Sequence, residues 1–287
     1  MSFPDMGTAT NLFSRASYSR LKYYWRDLID KESDVDFKNG ASFSTVMQRY
    51  TFDHNLRVIL FDAIETIEVA LRAKIIDHMS KAAGNGLWYL NSSLFQDKRR
   101  HRDFILNLKF EFERSTEPFA KKYISEHPEW DYDSSSGDNP DAWLIIEVAT
   151  FGALSKMYKN LKSQLPQRSA VANALGLYSS KDFSNWIEVI SLMRNIVAHH
   201  SRLWDRSFGK KIIDPKGHRY DWLNGELTET QKKKPYAAIC AIAYLCKAAD
   251  PQQRFTNALK HLISAYPEIP LGRYGFPVRW ETEPLWR

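Results

Sequence analysis

Cysteine is nearly missing from this 287-residue chain, which has only Cys240 and Cys246. Six residues apart, the two do not fall side by side on a helix. Neither a disulfide framework nor a zinc site is suggested, and a reducing compartment fits. Long apolar runs are missing too. The longest, Tyr236 to Cys246, is too short to cross a bilayer and predicts a buried helix. The N-terminal region lacks the continuous apolar core of a secretion signal. A soluble cytoplasmic protein with no membrane partner is expected. Also absent are a glycine-rich phosphate loop, a Ser or Cys nucleophile elbow, and carboxylate or histidine clusters at metal-ligand spacing. ATPase, hydrolase and metal-hydrolase readings therefore have no support, and neither cofactor nor metal is expected. There are no internal repeats and no strand alternation.

What is present is helical. Residues 12–29, 44–81, 101–114, 143–162, 236–249 and 251–265 each carry apolar side chains at spacings of three and four or read as nearly all apolar. Residues 1–10, with Pro4 and Gly7, look frayed. Gly84-Asn85-Gly86 stops the long second helix. The acidic, breaker-rich run 127–140 reads as a loop within one domain spanning 1–287. The expected fold class is all-α. Hydrophobic residues make up 44% of the chain, enough for a real core. Nine tryptophans and fourteen tyrosines suit that core, with interfaces or base-stacking platforms as alternatives. The formal charge of +6 fits a nucleic-acid partner, although many soluble proteins share it.

One stretch, Ser191 to Arg206, concentrates arginine, histidine and amide side chains in an apolar frame. From Trp186, the residues Val189, Ile190, Met193, Ile196, Val197 and Trp204 recur at helical spacing. Glu188, Asn195, His199 and Arg202 fall opposite. The wheel puts His200 in the apolar stripe, as a hydrogen-bonded core histidine. It puts His199 on the polar face, one turn after Asn195, where the amide can orient the imidazole. Arg194 lies roughly 140° round the helix from His199. Either the arginine reaches round, the helix ends near His199, or a second copy completes the site. The plain alternative is a surface arginine with capping histidines.

Other charges cluster as well. Glu65, Glu68 and Arg72 lie together off the apolar stripe, with Glu68 and Arg72 in the favourable order for an ion pair, as a solvated face also would have. Lys98, Arg99, Arg100 and Arg102 crowd four cations into five residues, a candidate phosphate patch or a solvated face. Lys232, Lys233 and Lys234 are a second such patch. Glu147 follows an apolar segment and should be partly buried, with Arg194, His199 or some structural arginine as partner.

Arg194-Asn195-x-x-Ala198-His199 resembles the signature of the HEPN superfamily, many of whose members are metal-independent ribonucleases. The continuation His200-Ser201-Arg202-Leu203-Trp204-Asp205-Arg206 resembles, more narrowly, the Abi-like abortive-infection family. Further blocks agree. They include Arg20-Leu21-x-Tyr23-Tyr24-Trp25, Tyr50-x-Phe52-Asp53-x-x-Leu56-Arg57, Ile64-Glu65-x-Ile67-Glu68-x-Ala70-Leu71-Arg72, Trp143 to Glu147, Phe151-Gly152-x-Leu154 and Tyr274-Gly275-Phe276-Pro277. The resemblance implies a HEPN-like helical bundle with additional N- and C-terminal helices. It also implies an endoribonuclease of a bacterial phage-defence, toxin–antitoxin-like system, with RNA as substrate and a small regulatory RNA or protein antitoxin as partner. His199 would move the proton, Arg194 would clamp the phosphoryl oxygens, and Asn195 would orient His199 or bind phosphate. Glu65, Glu68, Arg72, Glu147, His200, Arg202, Trp204 and Arg206 would support them. One histidine cannot easily be base and acid at once, so a homodimer with a composite site is expected. The alternative is a catalytically silent RNA-binding or scaffolding protein.

Overall fold

The computed structural model describes residues 1–287 except 4, 31, 34–35, 131–137 and 251, and except the side chain of residue 6. Eleven α-helices are found among them: α1 (Met6–Arg15), α2 (Tyr18–Trp25), α3 (Phe43–Ala83), α4 (Lys98–Glu113), α5 (Pro118–Glu126), α6 (Ala142–Ile145), α7 (Phe151–Asn160), α8 (Pro166–Ala174), α9 (Ser180–Ala198), α10 (Pro235–Ala249) and α11 (Arg254–Ala265). The fold is all-α as expected: the described residues form isolated bridges but no strand.

Helix α3 is the spine, about 60 Å long at 1.5 Å per residue. Ser42 opens it by accepting the Ser44 N–H at 3.2 Å, and Gly84, at φ +68°, closes it in the left-handed region that glycine enters without strain. Its stripe Leu56, Leu60, Ile64, Ile67, Leu71 and Ile75 is buried. Against it pack α2, α8, α9, α10 and α11. Helix α10 is apolar all round, and every residue from Pro235 to Cys246 is buried. A helix without a polar face has to sit inside, and α10 packs on both α3 and α9. The buried side chains form one contiguous cluster from Ala9 to Trp286.

The differences from the sequence reading lie at helix ends and breaks. Residues 1–10 are not simply frayed: Asp5 caps α1 by accepting the N–H groups of Gly7 and Thr8. The first expected helix is two, because Ala16 is extended and Ser17 starts α2. Helix α4 begins at Lys98, where Asp97 caps it, so the cation run is helical. The expected helix 143–162 is broken at Ala149 and Thr150, where the Thr150 hydroxyl accepts the Ala153 N–H at 3.2 Å and starts α7 afresh. Helix α8 was not anticipated. Much of the 127–140 loop, and residue 251 at the expected start of α11, lie outside the described residues.

Candidate functional site

Helix α9 carries the motif but does not run through it. It ends at Ala198, with His199 as the C-cap. His200 follows at φ +54°, and its N–H meets the Val197 carbonyl at 3.0 Å while the Ser201 N–H meets Ile196 at 2.9 Å. These two bonds make a Schellman ending, whose left-handed position ordinarily holds glycine. His200 is therefore exposed, not a core histidine as the wheel predicts, because the helix has ended before its side chain can join the stripe. His199 is exposed beside it. Trp204 is buried as expected, but from the turn after the helix rather than from its apolar stripe.

A single carboxylate fixes that turn. Asp53, fully buried on α3, accepts the Trp204 N–H at 2.8 Å and the Leu203 N–H at 3.1 Å. Hydroxyls of Tyr24 and Tyr274 donate to it at 2.7 and 3.1 Å, and Arg57 pairs with it one turn along α3. Burial first, and then the Asp53 charge, push both tyrosine pKa values above the ordinary range. The guanidinium groups of Arg49 and Arg273, which share the Asp27 carboxylate, lie 4.8 and 5.9 Å from the centroid of the Trp204 ring. Asp205, also left-handed at φ +48°, accepts from Lys234 and Arg273. Arg20 of α2 donates to the His200 carbonyl, and Arg202 donates to the Trp204 carbonyl while stacking on Tyr23 at 4.2 Å. Segments far apart in the chain thus converge on the turn after His199.

Arg194 faces elsewhere. With Asn195 it lines a groove of about 870 Å³ whose floor is α7 and whose walls are α4 and α9. His199, the C-cap beyond the end of α9, is not among the lining residues. Arg194 acts electrostatically on Glu68 across the α3–α9 contact. Glu68 pairs with Arg72 at 3.2 Å, and its pKa is raised because burial outweighs the pull of Arg72 and Arg194. Arg72 also donates to the Ala149 carbonyl at 3.0 Å, which the helix break leaves free, and lies 3.6 Å from Glu147. Glu147 is thus partnered by Arg72 and not by Arg194 or His199. It is 45% exposed rather than partly buried, because the chain turns to 3₁₀ at Ile146 and carries the carboxylate outward to a separate hollow. Glu65 is exposed.

The basic patches differ in availability. Arg100 lines the Arg194 groove, together with Lys156, which has no carboxylate partner among the described residues. Lys98, Arg99 and Arg102 are exposed and likewise unpaired, whereas Arg100 pairs with Asp97 at 3.3 Å. His101, between them, is buried against Phe95 with its Nε2 at 2.7 Å from the Tyr89 carbonyl. In the second patch Lys232 is held by Asp214 at 2.8 Å and Lys234 by Asp205 at 3.2 Å, leaving Lys233 exposed. Sequence reasoning missed the roles of Asp53, Arg57, Lys156 and the Tyr24–Tyr274 pair. Asp53 had a signal: it is a carboxylate on the apolar stripe of α3, with an arginine four residues on.

These features define an all-α protein built around one arginine–histidine helix end, locked to the longest helix through a buried carboxylate. Residues 11–205 match the family model described as Abi-like protein. The chain belongs to that family, whose members act in abortive-infection defence against phage. Neither curated proteins nor solved structures give a match. No helix among the described residues is long and apolar enough to cross a membrane, and no group of three or more His, Cys, Asp or Glu among them is placed to hold a metal ion.

Proposed function

We propose that this protein is a HEPN-type endoribonuclease of a phage-defence system, cleaving RNA in the cytoplasm without a metal. The observation that carries this reading is the uncovered helix end. Arg194 and Asn195 open onto a cation-lined groove, and two histidines stand in solvent one turn further on. Attack by the 2′-oxygen on its own phosphorus needs a base for the hydroxyl proton and an acid for the leaving 5′-oxygen. It also needs a cation against the charge growing on the phosphoryl oxygens. Imidazole titrates near neutrality and suits the first two tasks, and the permanently charged guanidinium suits the third. DNA lacks the attacking hydroxyl and is not cleaved.

The second proton carrier has two candidate sources. His200 is exposed beside His199, so one chain could supply both. Alternatively Leu192, Asn195 and His199 form an exposed stripe at i, i+3 and i+7 of α9, along which a two-fold contact would bring two helix ends together. A small RNA or protein antitoxin covering this end would hold the activity in check. A second reading, an RNA-binding protein without catalysis, draws support from the separation of His199 from the groove that Arg194 lines.

Labelled total RNA incubated in EDTA with wild type, Arg194→Ala and His199→Ala tests both. Cleavage by wild type alone, leaving 2′,3′-cyclic phosphate ends, is the expected result. Equal behaviour of the three proteins with RNA still bound favours the silent reading. Mixing the two inactive variants restores activity only where the site is shared between copies.

A further inference from the structure

The turn after His199 holds more positive charge than its carboxylates balance. Arg49, Arg57, Arg273 and Lys234 are met by Asp27, Asp53 and Asp205. Arg202 and Arg206 on this turn, and Arg20 reaching it from α2, are half-buried and have no carboxylate partner among the described residues. Two of the three have structural work: Arg20 holds the His200 carbonyl, and Arg202 holds that of Trp204. Arg206 has none. Its Nε is buried without any hydrogen-bond partner. Burial, and secondly the like charge of Arg202, hold its pKa below the ordinary arginine value. Asp53, the carboxylate acting on it, is already engaged by Arg57, two tyrosine hydroxyls and two backbone N–H groups.

We propose that Arg202 and Arg206 form a phosphate-binding subsite on the turn following His199, occupied by a backbone phosphate of an RNA strand that reaches the Arg194–His199 helix end. A half-buried guanidinium with an unused N–H and a like-charged neighbour is disfavoured as it stands. The Nε is closed off from solvent, so a phosphate would meet the outer Nη groups, which make no hydrogen bond to the described residues, and would balance the charge there through the planar fork. The proximity of Arg202, unfavourable in the free protein, then becomes an attraction for the dianionic or diester group. The RNA source rests on the function proposed above; the anion site does not, since a free phosphate or nucleotide would fill the same geometry.

The test uses the full chain and a fluorescent 2′-O-methyl RNA oligonucleotide, which cannot be cleaved, so that binding is read independently of catalysis. Anisotropy titrations across a salt series compare wild type with Arg206→Gln and Arg206→Lys. Arg206→Gln is expected to bind about 5–10-fold more weakly at moderate salt and to lose about 0.7 from the log–log salt slope, one single-strand phosphate contact. Arg206→Lys keeps the slope and loses part of the affinity, because it retains charge without the fork. In parallel, inorganic phosphate should raise the melting temperature of wild type and not of Arg206→Gln. If that difference is seen while wild type binds no RNA, the subsite stands with a free phosphate as its ligand and the RNA reading falls. Arg206-independent responses to both ligands would overturn the proposal. So would a melting temperature for Arg206→Gln well below wild type in phosphate-free buffer, which would make the guanidinium a structural element.

Discussion

Asp53 and Arg194 belong to the same device and are treated in opposite ways. Asp53 is fully buried, and its oxygens are met by an arginine, two tyrosine hydroxyls and two backbone N–H groups. Arg194 is half-buried, answers to Glu68 across a helix contact, and opens onto a groove. A buried charge persists only when it is paired and hydrogen-bonded throughout, so Asp53 holds the turn in place and has no capacity left for a ligand. The cations around the helix end are left partly unsatisfied, and such groups can gain by binding something. The arrangement separates holding from acting within one short stretch of chain.

The largest effect expected from breaking this contrast is at Asp53. Asp53→Ala strands Arg57, two tyrosine hydroxyls and two N–H groups, and should cost about 3–5 kcal/mol in urea unfolding at neutral pH. A loss below about 1 kcal/mol would mean that the turn is held by something else. Arg194→Ala and His199→Ala should invert the pattern. Each lies at a partly or fully exposed position, so stability should stay within about 0.5 kcal/mol of wild type. RNA cleavage should fall by about 100-fold or more, the range for removing a proton-transfer group or a charge clamp.

His200 comes next, with the opposite sign. A non-glycine residue at the left-handed position of a Schellman ending is strained, and glycine there should stabilise the chain by about 0.5–1 kcal/mol, less the entropy that glycine adds to the unfolded state. If His200→Gly melts higher yet cleaves RNA more slowly, the imidazole is kept at the expense of stability, as strained residues at functional sites are. Wild-type cleavage by His200→Gly would leave a second copy of His199 as the remaining source of the second proton carrier.

The helices were legible because burial writes itself as period: the stripe of α3 and the all-apolar α10 can be read directly. Their ends were less so. The wheel placed His200 in the core because it extends α9 past Ala198, and nothing local marks the stop; no glycine follows, and no proline. What ends the helix is Asp53, about 150 residues away, drawing in the Leu203 and Trp204 N–H groups. Glu147 went astray for the same reason, since the break at Ala149 is stabilised by Arg72 from another helix. The motif residues were visible as types at a spacing. Which of them share a surface, Arg194 with Lys156 or Arg202 with Arg206, depends on tertiary packing that no single helix period encodes.

The smallest effect sharpens the contrast most, because it reads the link between Arg194 and the rest of the fold. Burial raises the Glu68 pKa above its ordinary 4.5, while Arg72 and Arg194 hold it down. An acid whose folded pKa is raised releases its proton first in the unfolded chain. Its contribution to stability is therefore fully present below pH 4.5 and is lost as pH rises through the folded value. The Glu68 side chain is only 15% exposed, but burial and the two cations oppose each other, so the loss should stay under about 1 kcal/mol. Glu68→Gln should remove that slope above pH 4.5. Arg194→Ala should extend it to higher pH, because one of the two cations favouring the carboxylate is gone. Unfolding free energies measured across that window would settle it. A slope that is the same with and without Arg194 would mean that the two side chains do not communicate, and that the motif arginine stands free of α3.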